Sequence, residues 1–254
     1  MPDSGRRPEQ LPPPELVVEA YRRGWFPMTD PEDPAGELVW FDPDPRAVFP
    51  LRLGEPYDTL PDGPSEATFH IPKRLVRTLA TSRFIVTTDQ DFAGVIRACA
   101  DPDRPGAWID TRIIEMFERL HELGHAHSVE VWIAPGGGEA FDLAISHRHA
   151  IDSARPPPDG ATLVGGLYGL AVGGLFAGES MFSRPDLGGT DASKTALVRT
   201  VCHLRACEFS LFDTQFSNPH LEQFNCIELA RDAYRVLLAD ALTRDAAWQV
   251  PSDP

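Results

Sequence analysis

Apolar and polar positions along the chain divide it into a run of short helices and strands. Glu15 to Arg23 (ELVVEAYRR) has the spacing of a short amphipathic helix, stopped by Gly24. A second helix is predicted from Pro72, with Leu75, Val76, Leu79 and Ala80 facing inward and Lys73, Arg74 and Arg77 outward. Phe84–Thr88 is a predicted strand, and Asp89 or Asp91 a cap for a helix to Cys99. Thr111 is expected to cap a helix to Leu123 that buries Ile113, Ile114, Phe117 and Leu120 and stops at Gly124. His127–Ile133 alternates as a strand. Later, Asp191 is a predicted cap for a helix to Cys207, with Leu197, Thr200, Val201 and Leu204 inside. Phe209–Gln215 follows as a strand. Ile227–Leu242 is predicted as a last helix, buried along Leu229, Ala233, Leu237 and Ala241.

The stretch from Leu163 to Arg184 stands apart. It is two apolar strands joined at Ala171-Val172-Gly173-Gly174, with glycine at 165, 166, 169, 173, 174 and 178. Glycine weakens a strand, so this density marks bulges or close approach by a ligand or another backbone. Two readings stay open: one wall of an acyl-binding slot with Glu179 at its mouth, or a tightly packed core hairpin carrying an exposed Glu. Two other stretches break the periodicity. Trp25 to Arg46 is dense in Pro, Asp and aromatic residues and reads as rigid irregular structure. Ala134–Gly160, bracketed by Gly136-Gly137-Gly138 and Pro156-Pro157-Pro158, reads as an insertion or lid. The organisation expected is a loose arm over residues 1–14, an N-terminal domain over 15–66 and a larger domain over 67–254 with an insertion at 134–160.

Composition narrows the function classes. A net charge of −15 on 254 residues argues against general nucleic-acid affinity. A local exception exists, since no acidic residue falls between Phe69 and Thr88, where Lys73, Arg74, Arg77 and Arg83 cluster. That stripe is either a phosphate-backbone contact or a solvated helix face. Cys99, Cys202, Cys207 and Cys226 have neither CxxC pairing nor a short-loop framework, which fits reduced thiols in a cytoplasmic setting. His121, His125 and His127 lack ligand spacing on one element and have no carboxylate or Cys to complete a set, so no metal and no cofactor is expected. The start of the chain lacks the apolar stretch of a signal peptide, and glycine dilutes the one long uncharged run, so no membrane association is expected.

Several blocks, in order, resemble the leucyl/phenylalanyl-tRNA–protein transferases of bacteria. They are Tyr21-Arg22-Arg23-Gly24 with Phe26-Pro27, Pro43-Asp44-Pro45-Arg46, the run Leu120 to Trp132 (LHELGHAHSVEVW), Gly178-Glu179-Ser180-Met181-Phe182-Ser183-Arg184, Ala192-Ser193-Lys194-Thr195-Ala196-Leu197, and Asp213-Thr214-Gln215 with Asn218 and His220. Each block is weak alone; the series is specific. The chain departs from the family pattern at the 134–160 insertion, the longer Pro185–Thr190 loop, Glu222-Gln223-Phe224-Asn225 and Phe41-Asp42, and keeps Glu179, Asp213, Gln215 and Asn218.

The resemblance implies an α/β (α+β) protein, with a GNAT-like acyltransferase domain beside a small N-terminal α/β domain. It implies transfer of Leu (also Phe, with Met as a further donor) from aminoacyl-tRNA to an N-terminal Arg or Lys of acceptor proteins. That transfer tags them for N-degron proteolysis. By the same resemblance Asp213 and Gln215 are the catalytic pair, Gln215 orienting the attacking amine and Asp213 holding Gln215 and stabilising the ammonium charge. Glu179 and Asn218 would hold the acceptor's cationic N-terminal residue or its amine. Leu167, Phe176 and Met181 are candidates for the donor side-chain pocket, and Trp108 and Phe117 for stacking on the terminal adenosine. Lys73, Arg74, Arg77 and Arg83 would meet the tRNA acceptor stem. The chemistry is consistent, because an aminoacyl ester is already activated and its attack by an amine needs positioning rather than a nucleophilic side chain. Nothing demands more than a monomer. Two alternatives remain. A GNAT acetyl-CoA N-acetyltransferase needs a Q/R-x-x-G-x-G/A loop, and the glycines of Ser183–Thr190 do not have that spacing. A non-catalytic adaptor would bind basic N-termini through Glu179 alone.

Overall fold

The computed structural model describes residues 11–30, 38–51, 68–80, 84–104, 108–136, 151, 157 and 159–249. Helix α1 (Pro14–Arg22) opens the described chain and ends where Gly24 takes a left-handed φ of 85°. The Pro-rich stretch expected to be irregular forms a small ladder instead. Strand β1 (Phe26–Met28) pairs antiparallel with β2 (Val39–Phe41), with Pro27 opposite Trp40. A two-stranded ladder has only edges, so it tolerates a proline that a central strand would not.

Strand β3 (Arg46–Phe49) then leaves this unit and enters a seven-stranded sheet. The other members are β4 (Ile85–Thr88), β5 (Ala126–Ile133), β6 (Thr162–Val172), β7 (Leu175–Ser183), β8 (Leu211–Gln215) and β9 (Ile227–Leu229). Their order is β4-β5-β6-β7-β8-β3-β9. Every pairing is antiparallel except β7 with β8, which run parallel from Leu175–Leu211 to Ala177–Asp213. The strand β3 lies inside the expected N-terminal domain by sequence, yet it is hydrogen-bonded between β8 and β9.

Two apolar clusters cover the sheet. One receives α1, α3 (Phe92–Cys99), α4 (Thr111–Glu122) and α7 (Arg231–Leu242); the other receives α2 (Lys73–Ala80) and α5 (Ala192–Ala206). Every residue of α5 is buried except Lys194, Arg205 and Ala206, which makes it the central helix of its face. The glycine hairpin permits this: a Cβ at Gly165 would lie 2.5 Å from that of Ala192.

Several local expectations give way to packing. The cap of α4 is Asp110, whose carboxylate accepts the backbone N–H groups of Arg112 and Ile113, and Thr111 is already helical. Asp191 does not cap α5 with its side chain; it adopts a left-handed φ of 68° and its carboxylate pairs with Lys194. The predicted helix over Ile227–Leu242 is split, because Ile227–Leu229 pairs with β3 as β9 and only Arg231 onward is helical. On α2, Leu75 and Leu79 are buried while Val76 and Ala80 lie on the exposed side with Lys73, Arg74 and Arg77. Alternation fails on β5, where Ser128 and Glu130 are buried. Their mutual hydrogen bond (2.5 Å) and one from Thr87 (2.6 Å) satisfy them, and burial pushes the Glu130 carboxyl above its ordinary range. Most of Ala134–Gly160 lies outside the described residues, although Ile151 is buried against the α5 side. Among the described residues no helix is long and apolar enough to cross a membrane.

Candidate active site

Strands β7 and β8 stop pairing after Ala177 and Asp213, while both chains continue. A cavity of about 490 Å³ sits in this opening, with Gly178–Ser183 on one wall and Thr214, Gln215, Phe216, Asn218 and His220 on another. Phe26 and Met28 reach it from β1, Trp108 and Arg104 from the loops before α4, and Ser193 and Leu197 from α5.

Backbone irregularities aim the key side chains. Tyr168 pairs with Ser180 but the next pair is Gly169 with Gly178, so Glu179 is the extra residue of a β-bulge. A bulge breaks strict alternation and re-aims a side chain, which is how successive β7 residues all reach the cavity. Gly178 is required beside it, since a Cβ there would lie 2.7 Å from the Phe212 ring. Gln215 ends β8 with a left-handed φ of 58°, and Phe216 N–H turns back to the Thr214 carbonyl (2.7 Å). A positive φ costs a non-glycine residue of order 1 kcal/mol and needs surrounding support.

Asp213 supplies that support. Its Oδ1 accepts Gln215 N–H (2.9 Å) and Arg46 Nε (2.9 Å); its Oδ2 accepts Arg46 Nη2 (2.5 Å) and the Tyr234 hydroxyl (2.8 Å). Arg46 also donates to the Gly24 carbonyl (2.7 Å), and the rings of Tyr234 and Phe26 flank its guanidinium. Burial alone would lower the Arg46 pKa, but the facing Asp213 carboxylate outweighs it and raises it, so the guanidinium stays charged. This keeps Asp213 in its expected hold on Gln215 and takes it away from direct contact with the reacting amine. It is fully buried, its four acceptor sites are occupied, its charge is matched by Arg46, and it does not line the cavity. It positions Gln215 rather than meeting a substrate.

Gln215 is in place. It lines the cavity, and the amide orientation that satisfies its neighbours is the one that turns the nitrogen toward the carbonyls of Gly178 (3.0 Å) and Thr214 (2.9 Å). Two such anchors fix the amide plane and leave the carbonyl oxygen on the other side. Glu179 also lines the cavity, half-buried, and accepts the Tyr21 hydroxyl (2.7 Å). Burial pushes its carboxyl up to about 8 despite that hydrogen bond. Asn218 lines the cavity, but its side-chain oxygen caps the four-residue helix α6 (Pro219–Glu222) through His220 N–H and Leu221 N–H, both 3.0 Å. What remains is its NH2, a donor, which cannot hold a cation, so of the role expected for Asn218 a contact with the acceptor's cationic side chain does not fit.

Of the donor-pocket candidates, Leu167 and Met181 line the cavity and Phe176 does not. Phe176 is fully buried against Phe212 and Trp248. The further apolar lining comes from Phe49, Leu197, Phe212 and Leu221, of which the sequence pattern singles out only Leu197, on the inner face of its helix. Of the adenosine candidates, Trp108 lines the cavity and Phe117 does not. Phe117 is fully buried with its ring edge-on to Tyr168 (5.2 Å), so the expectation for it is overturned. Lys73, Arg74 and Arg77 form an exposed stripe on α2 with no ion-pair partner among the described residues; Arg83 lies outside the described residues. Among the described residues no group of three His, Cys, Asp or Glu could hold a metal ion. His127 pairs with Asp89 (2.8 Å) and His121 stacks on Phe92.

Taken together these features define an α/β protein whose mixed sheet opens at its parallel junction into a cleft with apolar and polar walls, edged by the Gln215 amide and a high-pKa carboxyl. The leucyl/phenylalanyl-tRNA protein transferase model matches residues 65–138 and 147–239, and the model of that family's N-terminal domain matches residues 12–44. The chain is 43% identical over 236 residues to the leucyl/phenylalanyl-tRNA–protein transferase of Paramagnetospirillum magneticum, covering 92% of this chain and 90% of that one. It is 42% identical to the same-named protein of Akkermansia muciniphila (90% and 95% covered) and 40% identical to that of Salinibacter ruber (95% and 84%). The chain belongs to the leucyl/phenylalanyl-tRNA–protein transferase family.

Proposed function

We propose that the cleft transfers Leu or Phe, with Met as a further donor, from the 3′ end of aminoacyl-tRNA to an acceptor protein whose first residue is Arg or Lys. The single observation that carries this reading is the anchored carboxamide of Gln215 facing an apolar slot across from Glu179. The amine attacks the ester carbonyl, a C–N bond forms, the ester C–O bond breaks, and the departing ribose oxygen takes the proton the nitrogen loses. The Gln215 carbonyl oxygen accepts an N–H of the amine and aligns its lone pair; a neutral amide is no strong base, so its contribution is orientation. The Asn218 NH2 donates to the carbonyl oxygen as negative charge builds there. Glu179, once ionised, pairs with the acceptor's first side chain.

Leu167, Met181, Phe49, Leu197 and Phe212 surround the donor side chain, and an all-apolar slot separates Leu, Phe and Met only weakly. Trp108 at the cleft edge suits the terminal adenine, and the α2 stripe suits the acceptor-stem phosphates. The parallel β7–β8 junction supports a GNAT-like arrangement of the sheet. Four free cysteines support a cytoplasmic setting, where the product is a degradation-tagged protein. The test is incubation with charged leucyl-tRNA and a peptide beginning with Arg. Leu appears on the peptide with the wild-type chain and falls by at least a hundredfold with Gln215→Ala. No transfer while the tRNA stays charged overturns the reading.

A further inference from the structure

We infer that Phe216 forms a subsite for the side chain of the acceptor's second residue, so that acceptors are selected by an apolar second position as well as by a basic first one. This rests on the transfer reading above and extends it to a part of the acceptor that reading leaves unassigned.

An exposed aromatic ring is by itself ordinary. Phe216 differs because of where the backbone puts it. Successive strand residues face opposite sides, yet Gln215 and Phe216 both line the same cavity. The left-handed φ of Gln215 and the Phe216 N–H to Thr214 carbonyl bond turn the chain so that both side chains reach one space. Phe216 is 47% exposed, with its ring edge seated on buried Phe26 at 5.8 Å. It is therefore a braced apolar platform at the cavity rim rather than a loose surface side chain. Trp25, next to Phe26 in sequence, is 40% exposed, and no charged residue lies between Gln215 and Asn218.

The acceptor's α-amine is the atom that Gln215 orients. Consecutive Cα atoms are about 3.8 Å apart in both chains. A peptide leaving that amine thus brings its second residue alongside the residue after Gln215, which is Phe216. An apolar second side chain buries area there. An acidic one finds no cation on the platform and meets a chain of net charge −15.

The experiment measures kcat/KM for peptides Arg-X-Gly with X as Leu, Phe, Gly or Asp, at saturating leucyl-tRNA. In the wild-type chain Leu and Phe exceed Gly by roughly five- to twentyfold, and Asp falls below Gly. Phe216→Ala brings the Leu/Gly ratio to within about twofold of unity, Phe216→Leu keeps most of it, and Phe216→Lys lifts Asp above Gly. Because the ring is exposed, the variants should fold; an unchanged melting temperature verifies that. Equal rates for all X in the wild-type chain overturn the proposal. So does a Phe216→Ala variant that raises KM for leucyl-tRNA and keeps the Leu/Gly ratio, which would give the platform to the donor nucleotide. A wild-type dimer that Phe216→Ala separates would give it to a second copy. If no peptide receives Leu at all, the transfer reading itself has failed, which is a distinct outcome.

Discussion

Glu179 sits where ionisation is resisted, and its pH behaviour follows. Burial moves its carboxyl from the ordinary 4.5 to about 8. Between those values the folded chain keeps a proton that the unfolded chain has released, so stability falls as pH rises through that window and levels off above it. Glu179→Gln removes this loss and should melt higher than the wild-type chain at pH 8.5, with the gap closing toward pH 4.5. The same proton opposes acceptor capture, because the cation needs the carboxylate. A peptide α-amine titrates at about 7.7–8.0 and must also be neutral to attack. Below pH 7 the acceptor kcat/KM should therefore climb with a logarithmic slope near two in the wild-type chain and near one in Glu179→Gln, whereas above pH 8, where the wild-type carboxyl is ionised, KM for an Arg peptide should be tenfold or more higher in the variant. Equal slopes in the two proteins would remove Glu179 from acceptor binding.

Between elements, the Arg46–Asp213 pair ties β3 to β8 and sets the turn at Gln215. Removing one partner leaves the other charge buried and unmatched, which costs about 3–5 kcal/mol. Asp213→Leu alone should unfold at markedly lower urea concentration. Asp213→Leu with Arg46→Met should recover most of that stability while leaving transfer low, because Gln215 N–H still lacks its acceptor. Recovery of both stability and turnover would mean that the turn does not depend on Asp213. The pair also shows what a sequence can and cannot disclose. The helices of this chain are legible because burial on one side of a helix repeats in sequence, as in Leu75 and Leu79 or Ile113, Phe117 and Leu120. The glycine hairpin and its turn are legible for the same reason. Glu179, Gln215 and Asn218 were reachable through their motif blocks, but what each offers was not. The bulge at Glu179, the left-handed φ of Gln215 and the cap that takes the Asn218 oxygen are backbone details that leave no periodic trace, and Asp213 is held by partners 21 and 167 residues away. Phe117 and Phe176 were misread because an aromatic facing the core and one facing a cleft leave the same trace in periodicity. The strand β9 was lost to a helix pattern because its partner, β3, lies some 180 residues earlier in the chain.

At the scale of the molecule, an acidic protein must engage a polyanion. The exposed Lys73, Arg74 and Arg77 stripe is small against a net charge of −15, so binding is local and gains little from the overall field. Three phosphate contacts would make KM for leucyl-tRNA rise with salt, with a logarithmic slope of about 2 to 3. Replacing all three by Ala should flatten that slope toward zero and raise KM at low salt. An aminoacyl-adenosine donor carries no stem phosphates, so its KM should be indifferent both to salt and to the triple substitution. The cleft itself, built from β1, β7, β8 and α5, would then be recognising only the esterified amino acid and its adenosine, with the stem held at a distance by α2. A steep salt slope that survives the triple substitution would place the phosphate contacts on another face of the protein and return the α2 stripe to solvent.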